Sequence, residues 1–254
     1  MSRNFELLQQ FGKEQEVFSP PTPVRSGEPE VFAEPESVVA SPSQLDNAST
    51  EEVKTLVQRV FLLSAGQAPH TVVFAGSESG SGCSWICARA AEALARQVPG
   101  SVCLVDANLR APGLHQQFGI PNHHGLSDAL RQTEPVGIFV TALSPSNLSI
   151  VSCGSAPEGA QGLLTSNRMR TRLHELRSMF DYVLIDTSAM SSSKEAIVLG
   201  ALSDGVVLVL KANSSRKETA RSAVQEFQTA KVRVLGAVLN QRKFPIPEAI
   251  YNKL

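Results

Sequence analysis

The chain has 254 residues, of which 42% are hydrophobic and 19% are charged, as in an ordinary globular protein. The net charge of −1 gives no electrostatic reason to expect nucleic-acid binding, and no apolar run approaches the ~18 residues of a membrane-spanning helix. The N-terminus lacks the apolar core of a secretion signal, and the four cysteines form no disulfide-like framework, which favours a reducing cytoplasm.

Residues 1–48 are rich in Pro, Glu and Ser. We predict that they form a disordered, flexible tail, because this composition buries too little apolar surface to fold alone. Within it, residues 4–11 have the pattern of a short amphipathic helix, which either docks on a partner or forms transiently without one. Residues 1–50 hold eight acids and three bases, so the remainder carries about +4, a balance compatible with a bound anion.

A folded domain is predicted over residues 49–254. Ser49 followed three residues later by Glu52 is a capping-box pattern, and the apolar spacing after it indicates a helix. From residue 71 onward, near-continuous apolar runs alternate with helical patterns, which predicts a doubly wound α/β fold with a mainly parallel sheet. The predicted strands are 72–75, 102–106, 148–153, 181–186, 205–210 and 232–239, and the predicted helices between them are 84–97, 125–131, 166–179, 192–201 and 217–230.

A loop rich in glycine and serine joins the first of these strands to its helix. This layout is that of a phosphate-binding loop, in which backbone N–H groups and the start of the helix face an anion. The strict pattern G-x-x-x-x-G-K-[ST] is not met, because Cys83 occupies the lysine position and Ser77 the first glycine position. The candidate nucleotide-binding residues of this loop are Ser79, Gly80, Ser81, Gly82, Cys83, Ser84 and Trp85.

Three residues near strand ends are candidates for a magnesium site. The Ser84 hydroxyl stands where a phosphate-binding loop ligates Mg²⁺, although a serine at a helix start is also an ordinary cap. Asp186 ends an apolar strand as a Walker B acid does, but taken alone it is equally a turn acid. Asp106 ends another strand, and ligands of such sheets bind beyond the carboxyl ends of the strands. Together the three predict a metal site, with Asp106 and Asp186 as the catalytic candidates.

The loop and the strand ends also carry a family resemblance, which covers roughly residues 50–254. The motifs read Gly76-Ser-Glu-Ser-Gly-Ser-Gly-Cys-Ser84, Leu104-Val-Asp-Ala-Asn-Leu-Arg-Ala-Pro112, Phe180-Asp-Tyr-Val-Leu-Ile-Asp186 and Leu235-Gly-Ala-Val-Leu-Asn240. In this order and spacing, the sequence resembles the kinase domain of bacterial tyrosine autokinases of the CpsD/CapB capsular-polysaccharide family. These kinases are P-loop NTPases related to MinD and ParA.

The resemblance implies a protein-tyrosine kinase that uses ATP and Mg²⁺ in capsular or exopolysaccharide biosynthesis or export. It implies a cytoplasmic protein that a membrane-anchored chain-length or export partner recruits to the inner face of the cell membrane, and it leaves a homo-oligomer possible. It also implies that Asn240 lies near the adenine and that Tyr251 is the phosphoacceptor candidate.

The sequence departs from this family at several motif positions. Besides Cys83, Asn108 replaces the second acid of the Asp-x-Asp motif, and Thr187 begins a segment that replaces a proline-rich turn. The family also has a ring-assembly motif, Glu-x-x-Arg-x-x-Arg, on the helix before the first strand. Here Lys54 keeps its first basic position, and the second position is apolar. We therefore expect ATP binding with weakened or lost catalysis. A catalytically dead pseudokinase that serves as a regulatory module is one alternative, and a MinD/ParA-type positioning ATPase, whose loop lysine is replaced here by Glu78, is another.

The replacement of lysine by Cys83 leads to a separate hypothesis. A thiol at a helix N-terminus beside an anion site is expected to have a lowered pKa. Such a thiol would be a redox-sensitive switch that closes the site. The alternative is a small residue tolerated after catalysis lapsed.

Overall fold

The computed structural model describes residues 38–39, 47–63, 68–144, 146–155 and 159–241. The segment 4–11, most of the predicted tail and Tyr251 lie outside these residues. Within the described ranges we find no helix with the length and apolar character needed to span a membrane.

The described strands form one eight-stranded sheet. They are β1 (Val38–Val39), β2 (Thr71–Gly76), β3 (Val102–Asp106), β4 (Thr141–Ser144), β5 (Leu148–Val151), β6 (Tyr182–Asp186), β7 (Gly205–Lys211) and β8 (Val234–Asn240). Their order across the sheet is β1-β4-β5-β3-β6-β2-β7-β8. Every neighbouring pair is parallel except β4 and β5, which are antiparallel.

Helices follow most of these strands in the described part of the chain. They are α1 (Asn47–Val57), α2 (Cys83–Gln97), α3 (Leu114–Phe118), α4 (Leu126–Ala129), α5 (Asn167–Met179), α6 (Glu195–Ala201) and α7 (Lys217–Thr229). A turn of π-helix, Gln58–Leu62, continues α1, and Val136–Phe139 and Ala160–Thr165 are short 3₁₀ helices.

Alternate residues of the central strands pack on opposite faces of the sheet. In β2, Val73 belongs to the hydrophobic cluster that contains α5, α6 and α7, whereas Phe74 belongs to the cluster that contains α1 and α2. Because both faces are covered, successive strand residues are all apolar. The predicted doubly wound α/β fold with a mainly parallel sheet is confirmed. Its central strands carry the loop after β2 and the acids that end β3 and β6 to one edge of the sheet.

The structure differs from the sequence-based prediction at the margins of this fold. Helix α1 begins at Asn47, so Ser49 lies inside the helix instead of capping it. The apolar pattern predicts neither β4, in which Leu143 is the one large apolar side chain that is buried, nor the five-residue helix α3. Val57, at the second basic position of the assembly motif, is fully buried in the α1–α2 cluster. Strand β1 lies within the predicted tail, and the domain boundary at residue 49 stays a prediction.

Candidate nucleotide-binding site

The loop between β2 and α2 is shaped by two glycines with left-handed backbone conformations. Gly80 and Gly82 each have φ of 78°, a value at which an L side chain is strained. A Cβ atom on Gly82 would also collide with the side-chain amide of Asn240. The loop therefore needs glycine at residue 82 for two independent reasons, conformation and space.

Side chains at the end of β8 hold this loop. The Asn240 Nδ2 group donates a hydrogen bond to the Ser81 carbonyl at 2.9 Å, and the Gln241 Nε2 group donates to the Gly80 carbonyl at 3.1 Å. Because both acceptors are carbonyls, these bonds occupy no N–H group of the loop, although the Ser81 N–H donates to the Glu78 carbonyl at 3.3 Å. The proximity of Asn240 to an adenine stays a prediction, and its amide nitrogen is engaged with the loop in this structure.

Glu78 fixes the other side of the loop to the turn after β7. The Ser215 hydroxyl donates to Glu78 Oε1 at 2.5 Å and accepts the Lys211 N–H at 2.9 Å. The carboxylate that occupies the MinD lysine position is therefore part of a local hydrogen-bond network.

A cleft of about 400 Å³ lies against the loop. All seven predicted loop residues, Ser79 to Trp85, line it, and the opposite wall comes from Asn108, Arg110, Ala111, Gln117, Thr187, Ser188, Ala189 and Ser192. A larger cavity of about 680 Å³ is lined by residues such as His70, Asp181 and Asp204. That cavity is at the amino ends of the strands, whereas ligands of such sheets bind at the carboxyl ends. The smaller cleft is therefore the candidate site.

Asp186 does not itself line this cleft and has no access to solvent, but the next residues, Thr187 and Ser188, are part of the cleft wall. Burial raises the pKa of its carboxyl group to about 8, and repulsion from Asp106 on the neighbouring strand adds to the shift. The Ser84 hydroxyl, the Cys83 thiol and the Thr187 N–H offset the rise only in part. Neither carboxyl oxygen makes a hydrogen bond of normal geometry with a described side chain, so Asp186 has unused bonding capacity beside Ser84.

Asp106 is equally buried, but its carboxyl group is saturated by backbone donors. Its Oδ2 atom accepts the N–H groups of Gly113 at 3.3 Å and Leu114 at 3.2 Å, and Oδ1 accepts the Asn108 N–H at 3.2 Å. Burial raises its pKa to about 6, and these three donors oppose the rise. Asp106 thus organises the loop that carries Asn108 and Arg110 into the cleft wall.

The expectation of a lowered Cys83 pKa is wrong. The side chain is buried, and burial raises the pKa of its thiol well above the ordinary value. The neighbouring Asp186 carboxyl group raises it further. These two effects outweigh the favourable position at the start of α2, so the thiol is neutral near pH 7 and is a poor redox sensor.

The structure also places residues at the site that sequence reasoning missed. Arg110 lines the cleft, with its Nε atom 3.8 Å from Glu195 Oε1 at the start of α6. Glu195 is 5% exposed, and its other oxygen accepts the hydroxyls of Ser188 and Ser193. Arg110 belongs to one of the matched motifs, which was a usable signal. The serines before Glu195 gave a second, because serine-rich turns often precede helix starts.

The sheet and this loop form an α/β fold like that of P-loop NTPases, and comparison with known proteins identifies relatives in sequence. No protein-family model matches the chain. The tyrosine-protein kinase YwqD of Bacillus subtilis is 29% identical over 195 residues, which cover 77% of this chain and 82% of that protein. The putative tyrosine-protein kinase CapB of Staphylococcus aureus is 26% identical over 197 residues, 78% of this chain and 85% of that protein.

Solved structures agree with these relatives at the level of the fold. The chimerical protein CapA2B2 superposes with a TM-score of 0.72 at 23% identity, covering 76% of this chain and 85% of that one. A ParA family ATPase from Chlorobium tepidum has a TM-score of 0.55 at 21% identity over 68% of this chain and 74% of that one. The resemblance read from the motifs is confirmed: the chain is similar in sequence to bacterial tyrosine-protein kinases and has a fold shared with ParA family ATPases.

Proposed function

We propose that this protein binds ATP with Mg²⁺ in the cleft beside the loop and is a tyrosine-kinase-like protein with weakened or lost phosphoryl transfer. The observation that carries the proposal is the buried Asp186 carboxyl group, which makes no hydrogen bond of normal geometry among the described residues and lies next to Ser84. An unpaired buried acid is costly, and a cation bound beside it would remove that cost. The site therefore fits Mg²⁺ on the evidence of its own donors.

Each part of the site has a role in this proposal. The N–H groups of the loop, apart from that of Ser81, and the start of α2 would face the phosphates. The Ser84 hydroxyl with Asp186 would hold the metal. Asp106 contributes negative charge from the neighbouring strand. Bound Mg²⁺ supplies charge neutralisation on the phosphate oxygens. Asp186 must be ionised to serve, so metal binding and proton release from this group are coupled.

The weakness of catalysis follows from Cys83. Its neutral, buried thiol puts no positive charge where the related loops have an ammonium group. Loss of one transition-state charge contact typically costs about 10²–10³-fold in rate, whereas binding retains the backbone donors and the metal. In addition, Asn108 replaces an acid, which lowers the number of carboxylates available near the metal.

The biological setting is proposed from the resemblance. The protein would act in capsular or exopolysaccharide biosynthesis or export, in the cytoplasm, at the inner face of the membrane, with a membrane-anchored chain-length or export partner. Tyr251 would be the phosphoacceptor, and a homo-oligomer would bring that residue to a neighbouring copy. The alternative is a pseudokinase that binds nucleotide only to regulate this machinery. The presence of Cys83 in place of the lysine and of Asn108 in place of the acid favours this alternative.

Nucleotide-dependent stabilisation tests binding. ATP with Mg²⁺ at 100 times its Kd should raise the free energy of unfolding by about 2.7 kcal/mol. Calorimetry of the full chain measures this, with adenosine in place of ATP as the control. Unchanged unfolding at millimolar ATP would contradict the proposal.

Phosphorylation of Tyr251 separates the kinase from the pseudokinase. The natural chain should incorporate little phosphate from ATP, and Cys83→Lys should increase incorporation by about 10²-fold, with Tyr251→Phe as the control. If Cys83→Lys binds ATP yet remains inactive, the pseudokinase alternative stands. Brisk phosphorylation by the natural chain would contradict the loss of catalysis.

A further inference from the structure

The cleft beside the loop has one cationic side chain among its described lining residues, that of Arg110. The only acid in that lining, Glu78, is occupied by the Ser215 hydroxyl. The guanidinium group of Arg110 is therefore the one positive charge on the described walls that could meet a polyphosphate.

Arg110 is weakly held in its present position. Its side chain is 44% exposed, and the 3.8 Å between Arg110 Nε and Glu195 Oε1 is an ion-pair distance too long for a hydrogen bond. Exposed ion pairs of this kind contribute little to stability, so Arg110 is free to exchange this carboxylate for a better acceptor.

The backbone that carries Arg110 is, in contrast, firmly placed. The Asp106 carboxyl group accepts hydrogen bonds from the backbone on both sides of Arg110: from the N–H of Asn108 before it and from those of Gly113 and Leu114 after it. The Ala111 N–H also bonds to Asn108 Oδ1 at 3.3 Å. A fixed base with a mobile tip suits a residue that must reach a ligand, because little backbone ordering is needed on binding.

The partner carboxylate is fixed as well. Glu195 is buried, and two serine hydroxyls occupy its Oε2 atom, so Oε1 is the oxygen that faces Arg110. In the absence of an anion, Glu195 keeps the guanidinium group beside the cleft. A phosphate group offers the same two-oxygen geometry with more charge and outcompetes it.

We infer that Arg110 is the phosphate-binding cation of this site and takes the place of the lysine that Cys83 has replaced, with Glu195 as the residue that positions it. The inference rests on the proposed nucleotide binding and names the side chain that makes it selective for polyphosphates. Arginine suits this role because its planar fork binds two phosphate oxygens at once.

Trp85 provides the measurement. It is the single tryptophan of the chain, lines the cleft and is 36% exposed, so its fluorescence reports on ligands there. We would titrate the full chain with ATP, ADP and AMP in the presence of Mg²⁺ and repeat the ATP titration by calorimetry. Arg110→Ala should weaken ATP binding by about 10-fold or more, with a smaller effect on AMP, and Arg110→Lys should recover part of the loss.

Two further variants make the test specific. Arg170→Ala, which removes an exposed arginine of α5, should bind ATP as the natural chain does. Cys83→Lys introduced into Arg110→Ala should restore ATP affinity, because the ammonium group returns the missing charge at a different residue. A purely structural role of Arg110 would not be rescued in this way.

The outcomes separate the inference from the proposed function. If the natural chain binds no ATP, both are wrong. If the natural chain binds ATP and Arg110→Ala binds it equally well, the inference is overturned and the proposed function stands. If Arg110→Ala weakens ATP and AMP alike and Cys83→Lys gives no rescue, the inference is also overturned, and unchanged melting temperatures exclude unfolding as the cause.

Discussion

The ends of β3 and β6 lie side by side, and each finishes in a fully buried aspartate, but the two carboxyl groups are in opposite states. Asp106 accepts three backbone N–H groups, whereas Asp186 accepts none with normal geometry among the described residues. Their pKa values follow this difference, about 6 for Asp106 and about 8 for Asp186. Identical residues at paired positions of one sheet are therefore in different environments: Asp106 holds the backbone of the cleft wall, and Asp186 has no hydrogen bond of normal geometry.

The largest effect should come from removing the saturated acid. Asp106→Ala strands three N–H groups in a partly or fully buried place, so the free energy of unfolding should fall by about 3 kcal/mol. Urea denaturation of the ligand-free protein measures this. Asp106→Asn, which keeps one carbonyl acceptor, should lose less, and equal losses in the two variants would mean that the N–H bonds are not the cause.

Removing the carboxyl group of Asp186 should affect nucleotide binding and should not lower the stability of the ligand-free protein. Asp186→Asn should not lower the free energy of unfolding of the ligand-free protein at pH 7 and should raise it towards pH 8, because an amide has no proton to release as the pH rises. The increment of about 2.7 kcal/mol from ATP and Mg²⁺ should disappear. Calorimetry with and without nucleotide measures both quantities. A variant that is stabilised by ATP and Mg²⁺ as strongly as the natural chain would remove Asp186 from the metal site.

The effect that is smallest per pH unit is a pH dependence that distinguishes the two acids. In the unfolded chain both carboxyl groups release their protons near 3.8, whereas in the folded protein they hold them to about 6 and about 8. Between these values the unfolded state binds fewer protons, so stability should fall as pH rises, by at most about 1.4 kcal/mol per pH unit for each group.

Above about pH 6 only Asp186 should still contribute to this fall, which should end near pH 8. Denaturation curves from pH 5 to 8.5 measure the slope. Asp186→Asn should flatten the part above about pH 6 and roughly halve the slope below it, where Asp106 still contributes. Parallel curves for the two proteins would assign the slope to other groups.

The sequence predicts the common features of these two strand ends but not their difference. Apolar runs that end in Asp106 and Asp186 indicate buried strands whose ends meet at one edge, and the structure has them in register. The donors to Asp106, however, come from Gly113 and Leu114 at the start of α3, a helix too short to show a period. The hydrogen-bond donors to a buried acid come from such turns, so its pKa cannot be predicted from the sequence of its own strand.

Cys83 shows the same limit for a thiol. The local rule, a thiol at a helix N-terminus, predicts a lowered pKa, and the rule is correct for the position. The sign is reversed by burial and by Asp186, which is about a hundred residues away in the chain. The sequence analysis did not single out Arg110 for a related reason. Arg110 matters because it is the one cationic residue among the described residues of the cleft wall, and that wall forms only when the sheet is assembled.

The amide contacts from Asn240 and Gln241 have a consequence for the order of events when the chain is made. They join residues 159 and 161 positions apart in sequence, from the loop after β2 to the end of β8, the last strand in the described part of the chain. A ribosome completes the glycine loop long before it completes the strand whose side chains hold that loop. The nascent chain thus lacks the finished loop until β8 has been made, and competence for a ligand arrives when β8 docks.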